Sequence, residues 1–234
     1  MRKSSVFLKG VYDGLPIGLG YLSVSFGFGI MAVRLGLSVL AAVGISLTNL
    51  TSAGQVAGVT VIAAAGSITE LIFTQLIINL RYSLMAVSLT QKLDGSFGTF
   101  HRMAAAFGIT DEIYAVASSK QEKLTPVYMY GLIFLPVIGW TSGTLLGAVA
   151  GEILPGLISE AMGIMLYGMF IAIIIPPAKK NLKILFCIAL AVLLSLVFYY
   201  LLPAVSSGFA VIISAVVSSC VAAVLFPVSE GENC

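Results

Sequence analysis

The sequence predicts an all-α polytopic membrane protein with about seven transmembrane helices, and three observations carry that prediction. Only 9% of the 234 residues are charged, against about 25% in a typical soluble domain. The 12 Lys plus Arg and 10 Asp plus Glu are too few to cover a water-soluble globule of this size. Mean hydropathy is +1.08, and the apolar residues gather into charge-free runs long enough to cross a hydrocarbon core of about 30 Å. The same composition excludes a disordered chain, a disulfide scaffold and a nucleic-acid-binding domain. A net charge of +2 implies no polyanionic partner.

The first span is expected over residues 14–33. Met1-Arg2-Lys3-Ser4-Ser5 is basic like the start of a signal peptide, but Asp13 and Pro16 precede the apolar run and no small-residue cleavage site follows, so the segment reads as retained. Residues 35–69 carry no charge and are too many for one upright helix at about 1.5 Å per residue. Thr51-Ser52-Ala53-Gly54-Gln55 interrupts them, which predicts one interrupted helix near Gly54. Splitting the run at that point would give an eighth span. Residues 71–91 follow, apolar except for Asn79 and Arg81, and then 126–151, 158–178, 182–202 and 207–228.

Residues 92–124 differ from the rest. They hold eight charged residues and the only histidine, His101, in two short helical patterns separated by Gly108. Phe100, Met103 and Phe107 share one helical face, and Thr110 can cap a helix with Asp111 and Glu112 in its first turn. This predicts an amphipathic elbow at the interface. It would connect a first half, 10–91, to a second half, 125–203, with an extra C-terminal span at 207–228, all in one transmembrane domain over 1–234.

An odd number of spans per half makes the halves run oppositely, so a 3+3 inverted repeat is expected. Gly20-Tyr21 and Ser23 match Gly139-Trp140 and Ser142 at one offset, and Leu35-Gly36-Leu37 resembles Leu154, Gly156 and Leu157. Glycine recurs every four residues at Gly10, Gly14 and Gly18, and again at Gly139, Gly143, Gly147 and Gly151. Stacked small residues let two helix backbones approach closely, which predicts contact between spans one and four on the membrane side where the first stack begins span one and the second ends span four; glycine is also simply common in membrane helices. Lys179, Lys180 and Lys183 form the densest basic loop and mark the cytoplasmic side. Seven spans would then leave Arg2, Lys3 and Lys9 outside, against the rule, whereas eight would put both termini inside.

Function is sought among the polar groups inside the spans, because each is costly to bury there. Gly54-Gln55 can present free backbone amides at a half-helix N-terminus, which attracts a carboxylate; the plain alternative is a close-packed helix whose Ser and Thr bond back to their own backbone. Arg81, beside Asn79, suits a carboxylate or a gate, the alternative being a guanidinium reaching for an interface. Asp111 and Glu112 can face an ammonium or carry a proton, or merely complement a helix dipole. Glu70 can titrate if buried, but at a span boundary it also reads as a solvated helix-start residue. Tyr21, Phe26 and Ile77 are the candidate apolar wall. Cys187, Cys220 and Cys234 have no metal-ligand spacing, one histidine supports no catalytic cluster, and no G-x-x-x-x-G-K-[ST] motif is present. No metal, cofactor or enzymatic activity is expected.

Several blocks resemble the AzlC family: Gly14-Leu15-Pro16-Ile17 with Gly20-Tyr21, Ser52-Ala53-Gly54-Gln55, Thr69-Glu70-Leu71-Ile72, Ile78-Asn79-Leu80-Arg81-Tyr82-Ser83-Leu84, and Phe107-Gly108-Ile109-Thr110-Asp111-Glu112-Ile113-Tyr114-Ala115. They cover roughly the first half of the chain. The resemblance implies the large subunit of a bacterial branched-chain amino acid exporter. It would work in the cytoplasmic membrane with a small AzlD-type membrane subunit, with Gln55, Asn79, Arg81, Asp111 and Glu112 as motif residues. The expected activity is export of small apolar amino acids by a secondary mechanism; a channel-like or structural subunit without its own substrate site is the other reading.

Overall fold

The computed structural model describes residues 3–153, 168, 171 and 174–227. They form α1 (Lys3–Arg34), α2 (Val39–Thr48), α3 (Ala53–Ala63), α4 (Ile68–Thr90), α5 (Thr99–Phe107), α6 (Asp111–Ser119), α7 (Pro126–Ile153), α8 (Leu182–Leu201) and α9 (Ser207–Leu225). Five of these, α1, α4, α7, α8 and α9, are long and apolar enough to cross a membrane. The all-α polytopic fold is therefore present. The expected span at 158–178 lies mostly outside the described residues, and seven crossings are not established.

Helices α1 and α7 form the centre of the bundle. A Cβ added at Gly10 would collide with the backbone of Tyr128 and Leu132, one at Gly14 with Leu132, one at Gly143 with Leu22, and one at Gly147 with Phe26. Spans one and four thus touch along their whole length, and their packing depends on bare glycine backbone. The two glycine stacks do not meet end to end. They face different parts of the partner helix and coincide only where Gly18 meets Gly139.

The order of these contacts shows that α1 and α7 run parallel. A 3+3 inverted repeat would set them antiparallel, so that arrangement is corrected. The physical reason lies in the interrupted segment. Ser46, near the end of α2, bonds Thr144 of α7 at 2.7 Å. Leu50 packs with Tyr21 and Trp140, and Val59 of α3 rejoins Phe28 and Ala148. The chain therefore descends along α2 to mid-depth and climbs back along α3. It is a re-entrant hairpin that makes no net crossing, and α4 then returns the chain to the starting side.

The connector makes the opposite excursion. His101 of α5 meets Tyr130 near the start of α7 at 2.7 Å, Gly108 lies against Ile133, and Thr110 reaches the Tyr21 hydroxyl at 2.6 Å. Helix α6 then descends beside α4, with Tyr114 at Ser88, 3.0 Å, and Lys92 at the Lys120 carbonyl, 3.0 Å. The elbow is not flat on the interface, because its turn at 108–110 rises to the middle of α1. Its apolar face, Phe100 and Met103, stays exposed toward lipid. The inversion visible in the chain is a smaller one: α1 followed by the α2–α3 hairpin, and α4 followed by the α5–α6 hairpin.

Helices α8 and α9 form an antiparallel pair, with Phe186 against Phe226 at one end. At the other end Glu70 fixes α9, accepting from Ser206 Oγ at 2.7 Å and from the Gly208 amide at 3.0 Å. Nineteen residues of α9 then reach about 28 Å to the opposite face. This gathers Lys3, Lys9, Lys92, Arg102, Lys120, Lys123, Lys179, Lys180 and Lys183 at one end of the bundle. The positive-inside rule assigns that end to the cytoplasm. The conflict left by a seven-span count disappears, since the re-entrant hairpin brings the N-terminal lysines to the same side as the basic loops.

Candidate functional site

The site lies where the two hairpin turns approach each other at mid-depth. Asn79 is at the midpoint of α4, and Trp140 is at the middle of α7. On the α2–α3 side, Ser52 starts α3 at φ +37° and its side chain makes no capping bond. The Thr51 hydroxyl donates to Asn49 Oδ1 at 2.7 Å. In the first turn of α3 Gly54 N–H donates to the Thr51 carbonyl and Val56 N–H to the Ser52 carbonyl, both at 3.0 Å. Among the described residues the Ala53 and Gln55 amides have no backbone partner, so this half-helix presents a partly open positive end at mid-depth.

Gly54 stands in the first turn of α3, not at the break itself. A Cβ there would crowd Asn79 Oδ1 at 2.9 Å and Gln75 Oε1 at 3.0 Å, so a larger residue would push these two side-chain ends aside. Gln75 Nε2 donates to the Gly54 carbonyl at 2.7 Å, and Asn79 Nδ2 donates to Gln75 Oε1 at 3.1 Å. Asn79 Oδ1 is buried without a hydrogen-bond partner among the described residues. Such an acceptor is costly to leave unmet.

Gln55 has a different place from that expected. It is 1% exposed, its Nε2 donates to Ser46 at 3.0 Å, and its Oε1 accepts from Trp140 Nε1 at 2.7 Å. Thr144 closes the set by donating to the Trp140 carbonyl at 3.0 Å. The Gln55 amide is spent at both ends. It latches the hairpin to α7, and its burial keeps it from a ligand.

On the α5–α6 side, Arg81 and Asp111 form an ion pair at 2.7 Å, with side chains 40% and 36% exposed. Arg81 also donates to the Tyr82 hydroxyl at 3.0 Å and lies over that ring. Glu112 accepts from the Tyr21 hydroxyl, and the Tyr21 ring meets Trp140 edge-on at 5.2 Å between centroids. Tyr21 therefore touches both hairpins.

The structure joins Gly54 to Asn79 on one face of α4, and Arg81 to Asp111, beside Glu112 and Tyr21, on another. Three expected residues stand outside these pairings. Glu70 is buried at the far end of α4 and is occupied in capping α9. Ile77 stands one turn before Arg81 on the same face of α4, about 200° from Asn79, and is half-buried. Phe26 lies on the α1–α7 seam, backbone to backbone with Gly147. The apolar wall is instead Tyr21, Trp140 and Leu50, with Val24 and Val137 behind. Sequence reasoning missed Trp140 and Gln75, although a signal existed for each: the only tryptophan, and a glutamine four residues before Asn79 in an apolar run. Among the described residues no group of three His, Cys, Asp or Glu could hold a metal.

Comparison with known proteins adds the following. A family model described as AzlC protein matches residues 16–154, which hold both hairpins and α7 and exclude α8 and α9. The chain is 28% identical over 229 residues to the inner membrane protein YgaZ of Escherichia coli, covering 95% of this chain and 91% of that protein. It is 32% identical over 181 residues to an uncharacterized membrane protein of Archaeoglobus fulgidus, covering 76% and 79%. It is 26% identical over 182 residues to one of Helicobacter pylori, covering 75% and 78%. No solved structure matches.

Proposed function

The chain belongs to the AzlC family of membrane proteins, and from that premise we propose that it is a subunit of a secondary-type transporter that exports branched-chain or similar small apolar amino acids. The observation that carries the reading is the opposition of charges across the site. The positive end of α3 faces inward from one side, and Asp111 and Glu112 at the start of α6 face inward from the other. An amino acid zwitterion has that pattern of charge.

In this reading the substrate carboxylate lies at the first amides of α3, as at other half-helix ends in transporters. The ammonium meets Asn79 Oδ1 and the acids of α6. The side chain rests on Tyr21, Trp140 and Leu50. Such a wall separates leucine, isoleucine and valine weakly, since one methylene is worth about 1–3 kcal/mol. Asp111 releases Arg81 as it takes up the ammonium, which ties occupancy to the cytoplasmic hairpin. The export direction, a small AzlD-type membrane subunit as partner and the bacterial cytoplasmic membrane as location are drawn from the family resemblance. The exposed stripe Ile72, Leu76, Leu80 and Leu84 on α4 suits either lipid or such a subunit.

The test is efflux of labelled valine and leucine from cells expressing the chain with and without a small membrane subunit. Asn79→Leu is expected to cut efflux about ten-fold, the loss of one buried hydrogen-bonding group, at unchanged membrane level. Unchanged efflux in that variant would remove the site from this position and favour a structural subunit.

A further inference from the structure

Outside the site, the cytoplasmic end of the bundle holds a cavity of about 420 Å³. It is lined by Lys9 of α1, by Lys120 and Lys123 of the loop after α6, and by Thr125 and Tyr128 at the start of α7. Two segments far apart in sequence thus bring three ammonium groups to one opening. Lys120 is matched by Asp13 at 2.8 Å, and Glu122 stands on the rim. Among the described residues Lys123 is held by the neutral Gln91 carbonyl, 2.7 Å, and Lys9 forms no direct ion pair, its nearest acid being Asp13, one turn on and already paired with Lys120. Converging like charges cost free energy unless an anion lies between them.

The depth of the cavity selects the anion. Thr125 and Tyr128 are at the membrane entry of α7, so the opening is at headgroup level. A second cavity of about 410 Å³ adjoins it through Val6 and Thr125, and adds Ser96, His101 and Tyr130. The exposed apolar residues Phe100 and Met103 of α5 flank His101, which gives acyl chains a surface beside the charged opening. We propose that this cavity binds the phosphate-bearing headgroup of an anionic phospholipid of the cytoplasmic leaflet. Lys9 and Lys123 act as its two unmatched cations, and the hydroxyls of Thr125 and Tyr128 act as donors. Basic pockets at the cytoplasmic ends of membrane helices suit such headgroups. The site is separate from the amino acid site and does not depend on the transport reading.

The full chain in nanodiscs of zwitterionic lipid, titrated with phosphatidylglycerol and read by native mass spectrometry of retained lipid, tests this. Wild type is expected to retain phosphatidylglycerol over phosphatidylcholine. Lys9→Gln or Lys123→Gln alone should weaken that preference about five-fold, and the pair about thirty-fold. Unchanged thermal unfolding of both variants checks that they fold. No preference in wild type, or a preference kept by the folded double variant, overturns the proposal. Displacement of the lipid by millimolar inorganic phosphate also overturns it, because the ligand would then be a soluble phosphate.

Discussion

Arg81 of α4 and Asp111 of α6 meet at 2.7 Å beneath the turn of the re-entrant hairpin. Arg81 lies on a span and Asp111 on the hairpin that follows it, so the pair fastens the cytoplasmic hairpin to the span before it. If the fastening closes the cytoplasmic side, Arg81→Asp and Asp111→Arg should each cut efflux about ten-fold or more by setting like charges together. The double exchange should recover most of it. Recovery absent from a well-expressed double variant would mean that each residue acts alone.

The same pair predicts a pH dependence. Of the two groups only Asp111 can change its charge, since a guanidinium stays protonated at any accessible pH. Protonation of Asp111 removes its charge while Arg81 stays charged, and the closure loosens as pH falls. Efflux, or cysteine reactivity near Asn79, should change on the acid side in wild type. It should be flat there in Asp111→Asn, where the pair is already lost. An acid limb that persists in that variant assigns it to another group, with Glu112 the nearest.

Trp140 and Gln55 form a second fastening, 2.7 Å long and fully buried. Trp140→Phe keeps the ring and strands Gln55 Oε1, which should cost about 1–3 kcal/mol in unfolding measured in detergent. Adding Gln55→Leu should cost less than the sum of the two single changes, because the stranded group is then gone. Simple additivity would mean that the two residues are not coupled.

What the sequence made legible follows from what leaves a local signature. Charge-free runs marked the long helices, and four-residue glycine spacing marked the α1–α7 seam. Thr110 ahead of Asp111 and Glu112 marked the start of α6, where the structure has it capping Ile113 N–H at 3.4 Å. The direction of the interrupted segment was not legible. A helix that passes through and a hairpin that turns back bury the same residues to similar depths, and only pairings such as Ser46–Thr144 tell them apart. For the site, polarity within an apolar run found Asn79, Arg81 and Gln55, but could not show that the amide of Gln55 is consumed internally. Position on a helix face, which sets Asn79 with Gln75 and Arg81 with Ile77, was readable in principle from the 3.6-residue repeat.

The seam between α1 and α7 gives a graded prediction. Gly14 and Gly143 each face backbone of the other helix, whereas Gly20 has nothing within 4 Å. Gly14→Leu and Gly143→Leu should force the helices apart and lower the yield of folded protein in size-exclusion chromatography. Gly20→Ala should be close to neutral or slightly stabilising, because alanine suits a helix better by about 1 kcal/mol. Equal tolerance at all three positions would show that close packing here is not needed.

The re-entrant hairpin is testable directly by side of exposure. Leu35 follows α1 and Ala64 follows α3, both exposed, and the structure puts both at the outer end because α2 and α3 make no net crossing. A single interrupted span would instead put them on opposite sides of the membrane. Leu35→Cys and Ala64→Cys, placed one at a time in a chain with Cys187, Cys220 and Cys234 changed to serine, should both react with a membrane-impermeant maleimide added to intact cells. A cysteine at Ser96, in the connector, should react only after the membrane is opened, since Lys92 and Lys123 belong to the basic end. Labelling of Leu35→Cys and Ala64→Cys from opposite sides would restore the through-going span. It would also remove the free half-helix end on which the proposed carboxylate contact depends.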